Sequence, residues 1–170
     1  PQSVTRAEAA EALRKAAELG HPFATRMLIR RLTDGDIVKR DLAAARYWAE
    51  RAADAAKGSN GSDMSLTLGS LLATSDKPEE RARGLGILER VASGPYVFGA
   101  KRELANAIRK DDPVRARALL EEAKRADPGG AIVPLAQMLI AGEGGPADPK
   151  RAVSLLKGVS DSWMAKGMLG

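Results

Sequence analysis

The sequence predicts an all-α fold in which antiparallel helical hairpins stack in a row to form a solenoid. Alanine and leucine dominate the apolar residues, and aromatic residues make up only 4% of the chain, a composition that favours close helix contacts over sheets. Apolar residues recur at i, i+4 and i+8, the spacing of one helix face. This pattern returns several times along the 170 residues, so we expect a single repeat domain over residues 1–170.

Two segments, residues 24–53 and 131–157, align without a gap. The shared positions hold small or apolar residues, one glycine and one aspartate. The pairs are Ala24 with Ala131, Leu28 with Leu135, Leu32 with Leu139, Gly35 with Gly142, Asp41 with Asp148, Ala45 with Ala152 and Trp48 with Leu155. Matches at so many fixed offsets identify the two segments as copies of one repeat.

Two weaker copies lie between these segments. Residues 64–92 keep Leu68, Gly69, Leu72, Leu85 and Leu88, and residues 100–126 keep Leu104, Ala105, Ile108, Asp112, Ala116 and Leu119, with a shorter central loop. Equivalent leucines then follow one another at steps of 40, 36, 31 and 34 residues. Steps of this length are typical of helical-hairpin repeats.

The chain therefore divides in order into a half repeat, four repeats and a truncated repeat. Residues 5–20 form the half repeat, which we expect to be a second helix alone. The four repeats cover about residues 22–57, 62–93, 98–126 and 129–158, and the truncated repeat covers residues 160–170. Residues 57–62 read KGSNGS, a composition that predicts a mobile loop between repeats.

Each repeat has a first helix, a turn and a second helix. Asp41, Asp112 and Asp148 stand where second helices begin, and Pro113 and Pro149 follow two of them. These residue types are favoured at the N-cap and at the first helical position, so we interpret the aspartates as caps and not as ligands or acids. The predicted core comprises Leu28, Leu32, Trp48, Leu68, Leu72, Leu104, Leu119, Leu135, Leu139 and Leu155.

The pattern A-x3-L-x3-L-x2-G-x2-V-x2-D-x3-A-x2-W-x3-AA in residues 24–53 resembles a Sel1-like repeat, a relative of the tetratricopeptide repeat. The resemblance implies a right-handed superhelix whose concave surface is lined by the first helices and binds proteins or, less often, glycans. It implies no chemistry. Bacterial proteins of this kind serve in envelope assembly, exopolysaccharide secretion or its regulation, or receptor signalling, so we expect a periplasmic or otherwise exported protein, with the cytoplasm left open.

The composition argues against most catalytic and metal sites. The chain has no cysteine and a single histidine, His21, so neither a cysteine-based site nor a His cluster can form. We interpret His21, which precedes Pro22, as a loop or cap residue. The formal charge is +5, with both signs mixed along the chain, a pattern typical of a solvated surface and not of a nucleic-acid-binding stripe. We expect no catalytic residues, no cofactor, no metal, no nucleic acid and no membrane span.

A partner-binding groove is predicted on the exposed side of the first helices. Its candidate residues are Arg26, Arg30, Ser70, Arg102, Asn106, Arg109 and Gln137. These donors would suit an acidic or extended segment of a protein; the alternative is a merely solvated surface. Tyr96 and Phe98 could contact a sugar ring or a partner, although such residues more often belong to a core. We therefore expect a non-enzymatic protein–protein interaction scaffold or adaptor, with a carbohydrate-binding module, for exopolysaccharide or peptidoglycan, as the alternative.

Overall fold

The computed structural model describes residues 5–36, 38–55, 58–94 and 99–168, with side chains described at all of these except 58–60 and 161–168. The described residues form helices and contain no strand. The helices are α1 (Arg6–Glu18), α2 (Pro22–Asp34), α3 (Leu42–Ala55), α4 (Gly58–Ala73), α5 (Pro78–Ala92), α6 (Ala100–Ile108), α7 (Pro113–Ala123), α8 (Pro128–Ala141) and α9 (Pro149–Met168). The predicted all-α fold of helical hairpins is confirmed.

The helices divide into two compact units, α1–α5 as far as Val91 and α6–α9. In the first unit α1 packs on α2, α2 on α3 and α3 on α4; in the second, α6 packs on α7, α7 on α8 and α8 on α9. Most contacts are therefore between helices that follow one another in sequence, as stacked hairpins require.

The first helices of the four repeats, α2, α4, α6 and α8, bury the same stripe. In each helix the residues at i, i+4 and i+8 are 7% exposed or less. They are Ala24, Leu28 and Leu32; Met64, Leu68 and Leu72; Ala100, Leu104 and Ile108; and Ala131, Leu135 and Leu139. The periodicity seen in the sequence is thus the contact face of every first helix.

The second helices meet this stripe through a residue without a large side chain. The equivalent positions are Ala45, Gly84, Ala116 and Ala152, and all four are buried. In α5 even a methyl group would collide, since a Cβ on Gly84 would lie 2.7 Å from the carbonyl carbon of Leu72 and 2.8 Å from the oxygen of Gly69. A buried residue without a large side chain thus recurs in each repeat, and at Gly84 its size is what permits the close approach of the helices.

Eight of the ten predicted core residues are buried, and two are not. Leu119 and Leu155 are half-buried, and in α7 the buried leucine is Leu120. The repeat alignment matched Leu119 and Leu155 to Trp48, three residues after the small position. An α-helix has 3.6 residues per turn, so the residues three and four positions after the small residue lie on either side of the line along which the helix contacts its neighbour. The rotation of each helix about its axis decides which of the two residues is more buried.

The turns confirm the predicted caps. Gly35 and Gly142 both end first helices with a positive φ, 77° and 71°. The carboxylates of Asp41, Asp112 and Asp148 each accept a hydrogen bond from the backbone N–H three residues on, at 2.9, 3.0 and 2.9 Å. These bonds satisfy amides that a helix start otherwise leaves without a partner.

Two boundaries differ from the predicted ones. The loop expected at residues 57–62 is wrong for its described part, because α4 begins at Gly58 and includes the glycine- and serine-rich segment. Packing of α4 against α3 outweighs the weak helix preference of these residues. At the other end, α9 runs without a break from Pro149 to Met168, through residues 158–160, where the sequence pattern predicts a repeat boundary.

Candidate functional site

The candidate face lies on the side of the first helices that points away from the buried stripe. The position six residues after the start of the stripe carries a hydrogen-bonding side chain in all four repeats. These residues are Arg30, Ser70, Asn106 and Gln137, of which Ser70 is half-buried and the others exposed. The polar position therefore recurs with the same regularity as the core.

In the first unit, the two predicted arginines of α2 are tied to aspartates. The Arg26 guanidinium donates to Asp63 of α4 at 3.1 Å, and Arg30 donates to Asp34 at 3.3 Å, one turn along its own helix. The side chain of Arg30 is still 71% exposed. Pairs at such exposure contribute little and exchange easily with a partner's groups.

In the second unit, Arg102 is held in place by two carboxylates. Its Nη1 lies 2.6 Å from Asp127, and its Nη2 lies 2.8 Å from Glu103. Asp127 also caps α8 by accepting the N–H of Gly130 at 3.0 Å. Arg102 thus links α6 to the start of α8, which is a structural use of its donors.

Arg109 is engaged more fully. Its Nε and Nη2 donate to the two oxygens of Glu143 at 2.5 and 3.0 Å, a bidentate pair of the stronger kind. The hydrogen bond from Arg109 holds the pKa of Glu143 below its ordinary value. Its Nη1 donates to the side-chain oxygen of Gln137 at 3.3 Å, so the structure brings these two predicted residues together.

The amide side chains of Asn106 and Gln137 remain the exposed polar groups of α6 and α8 on this face. Val133 and Ile140 flank Gln137 on α8 at i−4 and i+3, and they are 49% and 53% exposed. Neither residue is among those predicted from the sequence. The sequence nevertheless indicates their exposure. Residues 131–141 read AIVPLAQMLIA, so apolar side chains lie on more of the helix surface than the one face that forms the buried stripe.

The remaining predicted residues do not join this face. Tyr96 and Phe98 lie outside the described residues. His21 caps α2, its Nδ1 accepting the N–H of Ala24 at 3.4 Å, which confirms its interpretation as a cap residue. Over the described part of the chain, no group of three or more histidine or carboxylate side chains is placed to hold a metal ion. None of the described helices is both long and apolar enough to cross a bilayer.

Comparison with known proteins supports the fold. No family model and no curated protein matches the chain. The crystal structure of a Sel1 repeat protein from Oxalobacter formigenes is similar over 94% of this chain, with 20% sequence identity and a TM-score of 0.52. The chain spans about half of that protein, 48% of its length. The resemblance to Sel1-like repeats predicted from residues 24–53 is therefore confirmed as a likeness of fold.

Proposed function

We propose that this protein is a non-enzymatic scaffold that binds other proteins through the exposed face of its first helices. The observation that carries the proposal is the recurring polar position: Arg30, Ser70, Asn106 and Gln137 occupy one register position in four successive repeats, and none is buried. A core position recurs because packing demands it. Within each unit, two successive first helices therefore present a hydrogen-bonding side chain outside the core, on α2 and α4 in the first unit and on α6 and α8 in the second, and such donors and acceptors suit a protein ligand.

The chemistry of this face fits an extended protein segment best in the second unit. The carboxamides of Asn106 and Gln137 each donate and accept, so each can pair with a peptide N–H or C=O. Val133 and Ile140 add exposed apolar surface beside them. Main-chain pairing together with shallow apolar contacts is a common way to bind an extended peptide.

An acidic ligand fits this face less well than the sequence suggests. Arg102 and Arg109 already contact carboxylates at 2.6 and 2.5 Å, and an incoming acid would have to displace them. Breaking a paired, partly buried charge leaves its partner uncompensated. We therefore assign these two arginines to positioning α8 and Gln137, and the partner contacts to the amides and apolar side chains.

Site-directed photocrosslinking tests the proposal. A benzoylphenylalanine replaces Gln137 in the full chain, or replaces Lys150 as a control, an exposed residue of α9, and the protein is irradiated in cells that carry the native gene. We expect covalent protein adducts from position 137 that Asn106→Ala diminishes, and none from position 150. Equal adducts from both positions, or adducts from neither, would contradict the proposal.

The proposal extends to a role in the bacterial envelope, in assembly, exopolysaccharide secretion or its regulation, or receptor signalling. Its support is the resemblance of residues 24–53 to Sel1-like repeats. Fractionation of cells that carry the native protein tests it, since recovery with a cytoplasmic marker would contradict export. The carbohydrate-binding alternative gains little from the exposed aromatic side chains of the described residues: Phe23 and Tyr47 lie on different helices, and Tyr47 packs edge to face on Trp48, with ring centroids 5.6 Å apart.

A further inference from the structure

A positively charged cavity lies in the first unit, and the polar positions Arg30 and Ser70 of that unit are not among its described lining residues. It is formed by α1, the end of α2 and the loop that leads into α3, and its volume is about 520 Å³. Arg14, Lys39 and Arg40 line it, and Asp41 is the one carboxylate among the described residues of its lining. Three positive charges against one negative charge make the cavity cationic.

The cations of this cavity differ from most others in the protein in having few partners. Lys39 and Arg40 are exposed, and neither side chain has an ion-pair partner among the described residues. The Arg14 guanidinium pairs with the carboxylate of Glu11, one turn back on the same helix, with Nη1 3.6 Å from Oε2. Both side chains are at least half exposed. Arg26, Arg102 and Arg109, by contrast, are tied to carboxylates on other segments.

The rest of the lining is apolar or helix backbone. Leu32 is 7% exposed, and Val38 and Leu42 are half-buried. Helix α3 begins at Leu42, so the first backbone N–H groups of the helix point towards the cavity. Among these N–H groups, the Asp41 carboxylate accepts a hydrogen bond from that of Ala44. A helix start favours negative charge close to it, which adds to the effect of the three side chains.

We infer that this cavity binds an acidic peptide segment of the partner protein, with carboxylates at Arg14, Lys39 and Arg40 and an apolar side chain against Leu32 and Val38. The inference rests on the proposed scaffold function and gives the partner a second point of attachment. A cavity of this volume falls within the range of ligand sites, and unpaired cations beside an apolar floor match a segment that alternates acidic and apolar residues.

The lining does not suit a nucleic acid. Single-stranded nucleic acids are held by aromatic side chains on which bases stack, and none of the described residues that line this cavity is aromatic.

The test uses fluorescein-labelled Glu-Leu-Glu-Leu-Glu and, as a matched neutral probe, Gln-Leu-Gln-Leu-Gln, with binding followed by fluorescence anisotropy. The cavity variant is Lys39→Ala with Arg40→Ala. The control is Lys110→Ala with Lys150→Ala, which removes the same charge from two exposed lysines of the second unit. We expect the cavity variant to bind the acidic probe about tenfold more weakly, as the loss of two exposed charge pairs implies, and the control to bind as the wild type does.

An equal loss in both variants would show attraction by net charge alone and would overturn the inference. So would wild-type binding of the glutamine probe at the same affinity as the acidic probe. Tighter binding of an oligodeoxythymidine than of the acidic probe, with the same loss in the cavity variant, would reassign the site to nucleic acid. Superimposable thermal unfolding curves exclude misfolding as the cause of any loss. Adducts from position 137 report on the scaffold function separately, because they do not depend on either peptide result.

Discussion

At the scale of single residues, Gly84 shows how tightly this fold is packed. Helix α5 passes α4 so closely that a Cβ at position 84 would press on the backbone of Leu72 and Ala73. Gly86 lies two residues further along the same helix, and a Cβ there would meet nothing within 4 Å. The two glycines have the same helix propensity, so the space around them is what separates them.

We predict opposite effects of alanine at these two positions. Gly84→Ala should destabilise the protein by about 1–3 kcal/mol, because α4 and α5 must move apart. Gly86→Ala should stabilise it by about 0.5–1 kcal/mol, since alanine restricts the unfolded chain. Urea denaturation of both variants measures the difference, and stabilisation by both would refute the close approach.

Glu80 accepts hydrogen bonds and ion pairs from three side chains on two segments. Its carboxylate accepts hydrogen bonds from the Ser75 hydroxyl at 2.6 Å and the Lys77 ammonium at 3.0 Å, and it pairs with Arg46 of α3 at 2.8 Å. The bonds from Ser75 and Lys77, followed by the charges of Arg46 and Lys77, hold the pKa of Glu80 below its ordinary value of 4.5.

A pKa lowered by folding means that the ionised form stabilises the fold. The contribution of Glu80 should be complete above the unfolded pKa, near 4.5, and should be lost as the pH falls through the lower folded pKa. We predict that Glu80→Gln lowers the melting temperature at pH 7 and that the difference from the wild type shrinks steadily below pH 4.5. Glu79→Gln, at an exposed neighbour, is the control; a pH-independent difference for Glu80→Gln would contradict the assignment.

At the scale of helices, aspartate caps stand where three of the second helices begin, α3, α7 and α9. The turn lengths differ: in the first and fourth repeats the aspartate N–H bonds to the last leucine of the stripe, Asp41 to Leu32 and Asp148 to Leu139, both at 2.8 Å. In the third repeat Asp112 bonds to Ile108, four residues back, at 2.8 Å. The cap is therefore kept while the loop in front of it is shortened.

We predict that Asp112→Ala destabilises the protein by about 1 kcal/mol, the usual cost of losing an N-cap. Asp112→Asn should cost much less, because asparagine can still accept the N–H of Arg115. Chemical denaturation compares the two. An equal loss would assign the effect to the negative charge of the aspartate and not to the hydrogen bond.

At the scale of the whole molecule, contacts run mainly between consecutive helices within each unit. Stability in such a chain is close to a sum of local terms. Leu135→Ala, at a fully buried position of α8, should therefore raise amide hydrogen exchange in α6–α9 and leave α1–α3 unchanged, with a total cost of about 2–5 kcal/mol.

The reciprocal variant, Leu28→Ala in α2, serves as the control for this prediction. It should raise exchange in α1–α3 and leave α7–α9 unchanged. A uniform increase over all helices in either variant would show that the chain unfolds as one cooperative body and would contradict the local description.

The candidate site was predicted less completely than the fold. The repeat register identifies Arg30, Ser70, Asn106 and Gln137 as positions outside the core, and the structure leaves each of them partly or fully exposed. The repeat register could not show that the Arg109 guanidinium is paired with Glu143, 34 residues away. Ion pairs between distant helices depend on how the turns place those helices. The exposure of Val133 and Ile140 was not predicted for the same reason. An apolar residue on a helix is assigned to the core unless the positions of the neighbouring helices are known.

The sequence by itself determined the all-α fold of helical hairpins, the buried stripe of each first helix and the aspartate caps. These follow from residue size, helix periodicity and hydrogen bonds over three or four residues, all of which are local. Only the tertiary structure decided that Leu120 and not Leu119 is buried, that the glycine-rich start of α4 is helical, and that Lys39 and Arg40 keep their charges unpaired beside a cavity. Each of these depends on the rotation and distance of a neighbouring helix or loop, which local preference does not specify.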